Sequence, residues 1–87
     1  MAMTRKDYQL IADCINKACE SYNKIEGIST ETKFDYVHGI VSLRNRLASE
    51  LIETNPRFNK EKFMEATFKA SEIENTLYNE KWEGKWK

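Results

Sequence analysis

The residues able to do acid–base, metal or thiol chemistry here are one histidine, His38, two cysteines, Cys14 and Cys19, and 14 acids spread along the chain. As a general base His38 needs a nucleophile and an orienting carboxylate within hydrogen-bond reach, and on a helix only Asp35 at i−3 and Ser42 at i+4 are local candidates. A metal site built from Cys14, Cys19 and His38 is one ligand short of a tetrahedron and lacks the usual ligand spacings. The two cysteines, five apart on one helix, point in directions too different to form a disulfide, and both read as small, partly buried packing residues. Glu72 with Glu74, and Asp7 with Asp13, do not share a helical face and read as solvated charge. With glycine only at 27, 39 and 84, there is no phosphate-binding loop, and no GxSxG, HExxH or EF-hand pattern occurs. The expectation is a protein that is not an enzyme, with no catalytic residue, no metal ligand and no cofactor.

The remaining chemistry is anion binding. Arg57, Lys60 and Lys62 sit where a helix begins, and free N–H groups there favour a phosphate. Adding Arg44 and Arg46 gives an alternative function, a nucleic-acid or nucleotide-binding helical module. Several features disfavour nucleic acid. The 14 Lys+Arg balance the 14 Asp+Glu, whereas phosphate-driven binding rests on excess positive charge. Glu61 and Glu65 are interleaved with Lys60 and Lys62, and Arg44 reads as the partner of Glu53 or of an acid on another helix. The 55–59 connection has the length of a helix-turn-helix turn, but the helix after it carries Phe63, Met64 and Phe68 in place of a polar reading face.

The elements that must position these groups are helices. At 87 residues the chain is a single domain, 1–87, that buries only about 60 to 65% of its unfolded surface, so association with a partner would add stability. Tyr8, Ile11, Ala12, Ile15, Ala18, Cys19 and Tyr22 recur three and four apart, with Thr4 as N-cap and Gly27 as the stop. A second helix starts at Ser29 or Thr30 and carries two apolar rows. One is Phe34, Val37, Val41, Ala48 and Ile52; the other is Tyr36, Ile40, Leu43, Leu47 and Leu51. So wide an apolar surface marks either the central helix or one covered by another copy, and Gly39 within it suggests close approach of a neighbouring helix. Asn55-Pro56 ends this helix. Asn59 caps a third, with Phe58 and Phe63 as a hydrophobic staple. The predicted fold is all-α, a compact three-helix bundle (4–25, 30–54, 59–80) with an aromatic, flexible or interface-forming tail over 80–87.

Interface candidates follow from the apolar residues left over. Tyr36, Ile40, Leu43 and Leu47 form a candidate oligomer face; Tyr78, Trp82, Trp86, Met64 and Phe68 form a candidate partner face. No run of apolar residues is long enough to span a bilayer, so the expected location is cytoplasmic with no membrane partner.

Two motifs carry a resemblance. Thr4-Arg5-Lys6-Asp7-Tyr8 with Ile11-Ala12 and Ile15, and Arg46-Leu47-Ala48 followed by Asn55-Pro56-Arg57-Phe58-Asn59, Lys62-Phe63 and Ala66, resemble small helical proteins encoded by bacteriophages and prophages. The resemblance covers residues 4–66, and the 67–86 stretch has no counterpart in it. It implies no activity, cofactor or site residue. What it implies is a protein that works by binding, in the host bacterial cytosol, to a host factor or defence system, to itself, or to both.

Overall fold

The computed structural model describes residues 4–83. Helix starts are set by local hydrogen bonds. At the first, Asp7 donates its backbone N–H to Thr4 Oγ1 at 3.4 Å and its carboxylate accepts the Thr4 N–H at 2.8 Å. This reciprocal capping box opens α1 (Arg5–Lys24). The chain then turns through Gly27, whose φ of +86° lies in the left-handed region that favours glycine. Ser29 resolves the choice of cap for α2 (Thr30–Thr54) by accepting the Thr32 N–H at 3.1 Å.

The 55–59 connection is tied by Asn55, whose backbone oxygen accepts from Phe58 N–H at 2.9 Å and whose Oδ1 accepts from Arg57 N–H at 3.2 Å. Asn59 then caps α3 (Lys60–Ala66) through the Lys62 N–H at 3.0 Å. The staple forms as expected, with the Phe58 and Phe63 rings 5.5 Å apart.

The predicted single helix over 59–80 is instead two helices, α3 and α4 (Phe68–Glu83), broken at the fully buried Thr67. A continuous helix would bond Ala70 N–H to Ala66 O. The side-chain amide of Asn16, from α1, inserts into that pair: its Nδ2 donates to Ala66 O at 2.7 Å and its Oδ1 accepts from Ala70 N–H at 3.2 Å. An inserted side chain is a recognised cause of a sharp helix kink. From α2, the buried Arg44 places Nη1 3.1 Å from Thr67 Oγ1, 3.3 Å from Thr67 O and 2.8 Å from Ser71 Oγ, while its Nε donates to Asn45 Oδ1 at 2.9 Å. Thr67 Oγ1 itself donates to Phe63 O at 3.0 Å. The junction thus consumes the carbonyls and hydroxyls that would otherwise be orphaned by the break.

Two apolar clusters flank this junction. One holds Cys19, Val37, Val41, Ala70 and Leu77; the other holds Ala12, Ala48, Phe58 and Phe63, and Ile15 packs against both. Helix α2 touches each of the other three and is the central element. Its inner row packs as predicted except at Ile52, which is exposed because it lies in the last turn before Thr54. Two polar clasps close the outside: Lys69 Nζ to Glu20 Oε1 at 2.7 Å joins α4 to α1, and His38 Nδ1 to Glu74 Oε2 at 2.9 Å joins α2 to α4. The bundle measures 50 × 23 × 16 Å. Among the described residues no helix is long and apolar enough to cross a membrane.

Replacing Asn16 with Ala removes both bonds of the insertion and should lower unfolding free energy by about 1–3 kcal/mol in urea denaturation. Ser21→Ala, which removes only an exposed bond to Lys17 O within α1, should stay within about 0.5 kcal/mol of the parent. Equal effects would contradict a splice held by Asn16.

Candidate functional site

The thiol and imidazole groups occupy separate places. Cys19 is buried against Val37 and Val41, and burial pushes its thiol up to about 11, partly opposed by the positive charge of Arg44. Cys14 was expected to be partly buried; it is exposed, because it falls on the side of α1 turned away from α2 and α4. Both thiols are free. The partner of His38 is Glu74 on α4, in place of the expected Asp35 or Ser42, and the imidazole also stacks on Phe34 at 5.3 Å and 16°. This arrangement clamps α2 to α4 and brings no nucleophile to the ring. No group of three or more His, Cys, Asp or Glu able to hold a metal occurs among the described residues.

The cations separate into three environments. Arg44 is buried and bonded to neutral acceptors; its expected acidic partner is absent from the contacts, and burial pulls its pKa below the usual value. Arg46 pairs with Glu50 at 3.1 Å on the outer side of α2. Arg57 and Lys62 line a cavity of about 350 Å³ together with Arg5, Tyr8, Gln9, Phe58, Asn59, Phe63 and Ala66. Lys60 does not line it, since two residues along a helix rotate a side chain by about 200°. Arg5 takes its place as the third cation. Nothing local in the sequence links Arg5 to Arg57, which are joined only by the packing of α1 on α3.

The candidate partner face is divided. Tyr78 is exposed on one side while its ring packs 5.8 Å from Phe34 and 6.1 Å from Trp82, which is half-buried. Lys81 Nζ lies 4.7 Å from the Phe34 ring centroid and 5.7 Å from that of Trp82. Lys81 and Trp82, from the predicted 80–87 tail, therefore belong to α4 and lie beside Phe34 and Tyr78; Trp86 lies outside the described residues. Met64 is half-buried in the second cluster, whereas Phe68 is 59% exposed.

The candidate oligomer face also resolves into two kinds of residue. Ile40 and Leu47 are half-buried against α1, whereas Tyr36 is 50% and Leu43 65% exposed, with Tyr36 stacked on Tyr22 at 4.9 Å. Among the described residues a Cβ built at Gly39 meets nothing within 4 Å, contrary to the close contact expected. Thr32, Tyr36, Gly39, Leu43, Arg46 and Glu50 follow one another at spacings of four and three, which makes a continuous seam on the solvent side of α2.

No family model, characterised protein or solved structure matches the chain.

The two thiols should differ in reactivity. With a thiol pKa of about 11, Cys19 holds about one thiolate in a thousand at pH 8, so Ellman's reagent should titrate one fast thiol per native chain and two after unfolding. Because the folded-state value lies above the ordinary 9.0, the folded chain keeps this proton longer. The stability contributed by a protonated Cys19 is intact below pH 9 and is lost as pH rises toward 11. Two fast native thiols would contradict this burial.

Proposed function

We propose that the chain is a non-enzymatic binding protein that acts through protein contacts, the first of them with a second copy of itself. The observation that carries this reading is the self-complementarity of the α2 seam. Laid antiparallel about a two-fold axis near Val41, residues whose numbers sum to 82 face each other. Leu43 of one copy then meets the open space at Gly39 of the other. Arg46 meets Tyr36, a cation over an aromatic face, with Asp35 one residue away to take its charge. Glu50 meets Thr32, whose hydroxyl can donate to the carboxylate. No like charges stand directly opposite along the seam.

Two further features support it. Glycine in the middle of a helix costs about 1 kcal/mol relative to alanine, and contact with a partner's Leu43 gives that cost a compensating use. The 32–50 seam is about 27 Å long at 1.5 Å per residue, enough for two helices to pair along most of α2. The resemblance to phage-encoded proteins supports a host factor or defence protein in the bacterial cytosol as a further partner, blocked by being bound. A strand-wide nucleic-acid surface loses support, because Arg44 is buried under Thr67 and Arg46 is paired with Glu50.

Light scattering over a 100-fold concentration range should give a dimer that dissociates on dilution. Leu43→Glu should hold the chain monomeric with unchanged helical content, since the side chain is exposed. Gly39→Ala should raise the melting temperature of the dilute monomer while weakening association, a pair of opposite signs that general destabilisation does not produce. A strict monomer at every concentration would overturn the reading.

A further inference from the structure

We propose that the cavity under Arg5, Arg57 and Lys62 binds a phosphate monoester attached to a flat apolar body, of the nucleoside monophosphate class. None of its lining residues belongs to α2, so the site is independent of the seam.

The charge pattern is the first ground. Three cations border the cavity and no acid does, in a chain whose net charge is zero. The ion pairs of the described residues involve His38, Arg46 and Lys69; Arg5, Arg57 and Lys62 enter none of them, and among the described residues their side chains make no hydrogen bond. Three cations held close together repel one another, and a dianion between them removes that repulsion. Two are arginines, whose planar forks match phosphate oxygens two at a time.

The wall is the second ground. Tyr8, Phe58 and Phe63 form one aromatic cluster, with ring centroids 4.9 Å apart for the first pair and 5.5 Å for the second. Asn55 holds Tyr8 in place by donating Nδ2–H to its hydroxyl at 2.9 Å. Phe58 and Phe63 are buried, so the wall is built before any ligand arrives. Gln9 Nε2 donates to Asp13 at 2.9 Å and Asn59 Oδ1 caps α3, so Gln9 Oε1 and Asn59 Nδ2 are the amide atoms left to meet sugar hydroxyls or base edges. The volume, about 350 Å³, lies at the lower end of the range for small-ligand clefts and suits one nucleotide better than a strand.

Calorimetric titration of the full chain with AMP, inorganic phosphate, adenosine and a 5′-phosphorylated trinucleotide tests the assignment. AMP should bind, inorganic phosphate more weakly, adenosine not measurably, and the AMP affinity should fall as salt rises. Arg57→Ala and Lys62→Ala should each weaken AMP binding on the order of tenfold or more with unchanged melting, because both side chains are exposed. Lys60→Ala, just outside the cavity, should leave affinity within about twofold, which separates a built site from general positive charge. The assignment is overturned by absent AMP binding, by adenosine or phosphate binding as tightly as AMP, by equal weakening in Lys60→Ala, or by tighter binding of the trinucleotide.

Discussion

The arrangement of this bundle depends on one insertion: the Asn16 amide takes the place of the helical hydrogen bond between Ala66 and Ala70. An amide side chain can do this without leaving either backbone group unsatisfied, because it offers a donor to the carbonyl and an acceptor to the N–H. An aliphatic residue at 16 would leave Ala66 O without its donor in a half-buried place, while Ala70 N–H would keep only its bond to Thr67 O at 3.1 Å. Arg44 completes the junction from the opposite helix. A guanidinium suits this role because its charge is delocalised and weakly hydrated, so neutral oxygens of Thr67, Ser71 and Asn45 can replace much of its water. The negative charge of Glu74 lies near enough to raise its pKa against the effect of burial. Removing the arginine would leave Thr67 O with the Ala70 N–H at 3.1 Å as its donor and Ser71 Oγ without the guanidinium, and removing the threonine hydroxyl would take one acceptor from a buried charge.

Features governed by neighbours in the chain were legible in the sequence. The N-cap at Thr4, the stop near Gly27, the end of α2 at Asn55 and the staple of Phe58 and Phe63 each need only residues within five positions, and each is present. The break at Thr67 was not legible. Phe63, Ala66, Thr67, Ala70 and Ile73 follow helical spacing without interruption, and the group that divides them comes from 50 residues away. Arg44 misled for a related reason. A charge within an apolar helix suggests an ion pair, but here the acceptors are neutral: the Thr67 carbonyl and hydroxyl, the Ser71 hydroxyl and the Asn45 side-chain oxygen.

The surface chemistry was half visible. Of the candidate anion ligands Arg57, Lys60 and Lys62, the first and last line the cavity, Lys60 could have been set aside from helical rotation alone, and Arg5 enters only through the packing of α1 against α3. Similarly, the sequence offered Tyr36, Ile40, Leu43 and Leu47 as one face, and only the fold separates the exposed Tyr36 and Leu43 from the half-buried Ile40 and Leu47. Gly39 suggested a close neighbour, and the space beside it is open among the described residues.

Both surfaces trace back to the junction through rigid geometry. Leu43 and Arg44 are adjacent, so on a helix they point about 100° apart. Once Arg44 is seated under Thr67, the rotation of α2 about its own axis is set, and Leu43, Gly39 and Tyr36 are turned to solvent. The Asn16 bonds act likewise on the other side of the bundle. By joining the middle of α1 to the end of α3, they hold Arg5 and Tyr8, about two to three turns earlier, opposite Lys62 and Phe63. The cavity lies between α1 and the start of α3, where Tyr8 is also tied to the 55–59 connection by its bond from Asn55 and its packing on Phe58. A buried polar cluster that adds little to net stability can therefore decide what the exterior presents, since alternative rotations of α2 or placements of α3 would leave its donors and acceptors unpaired.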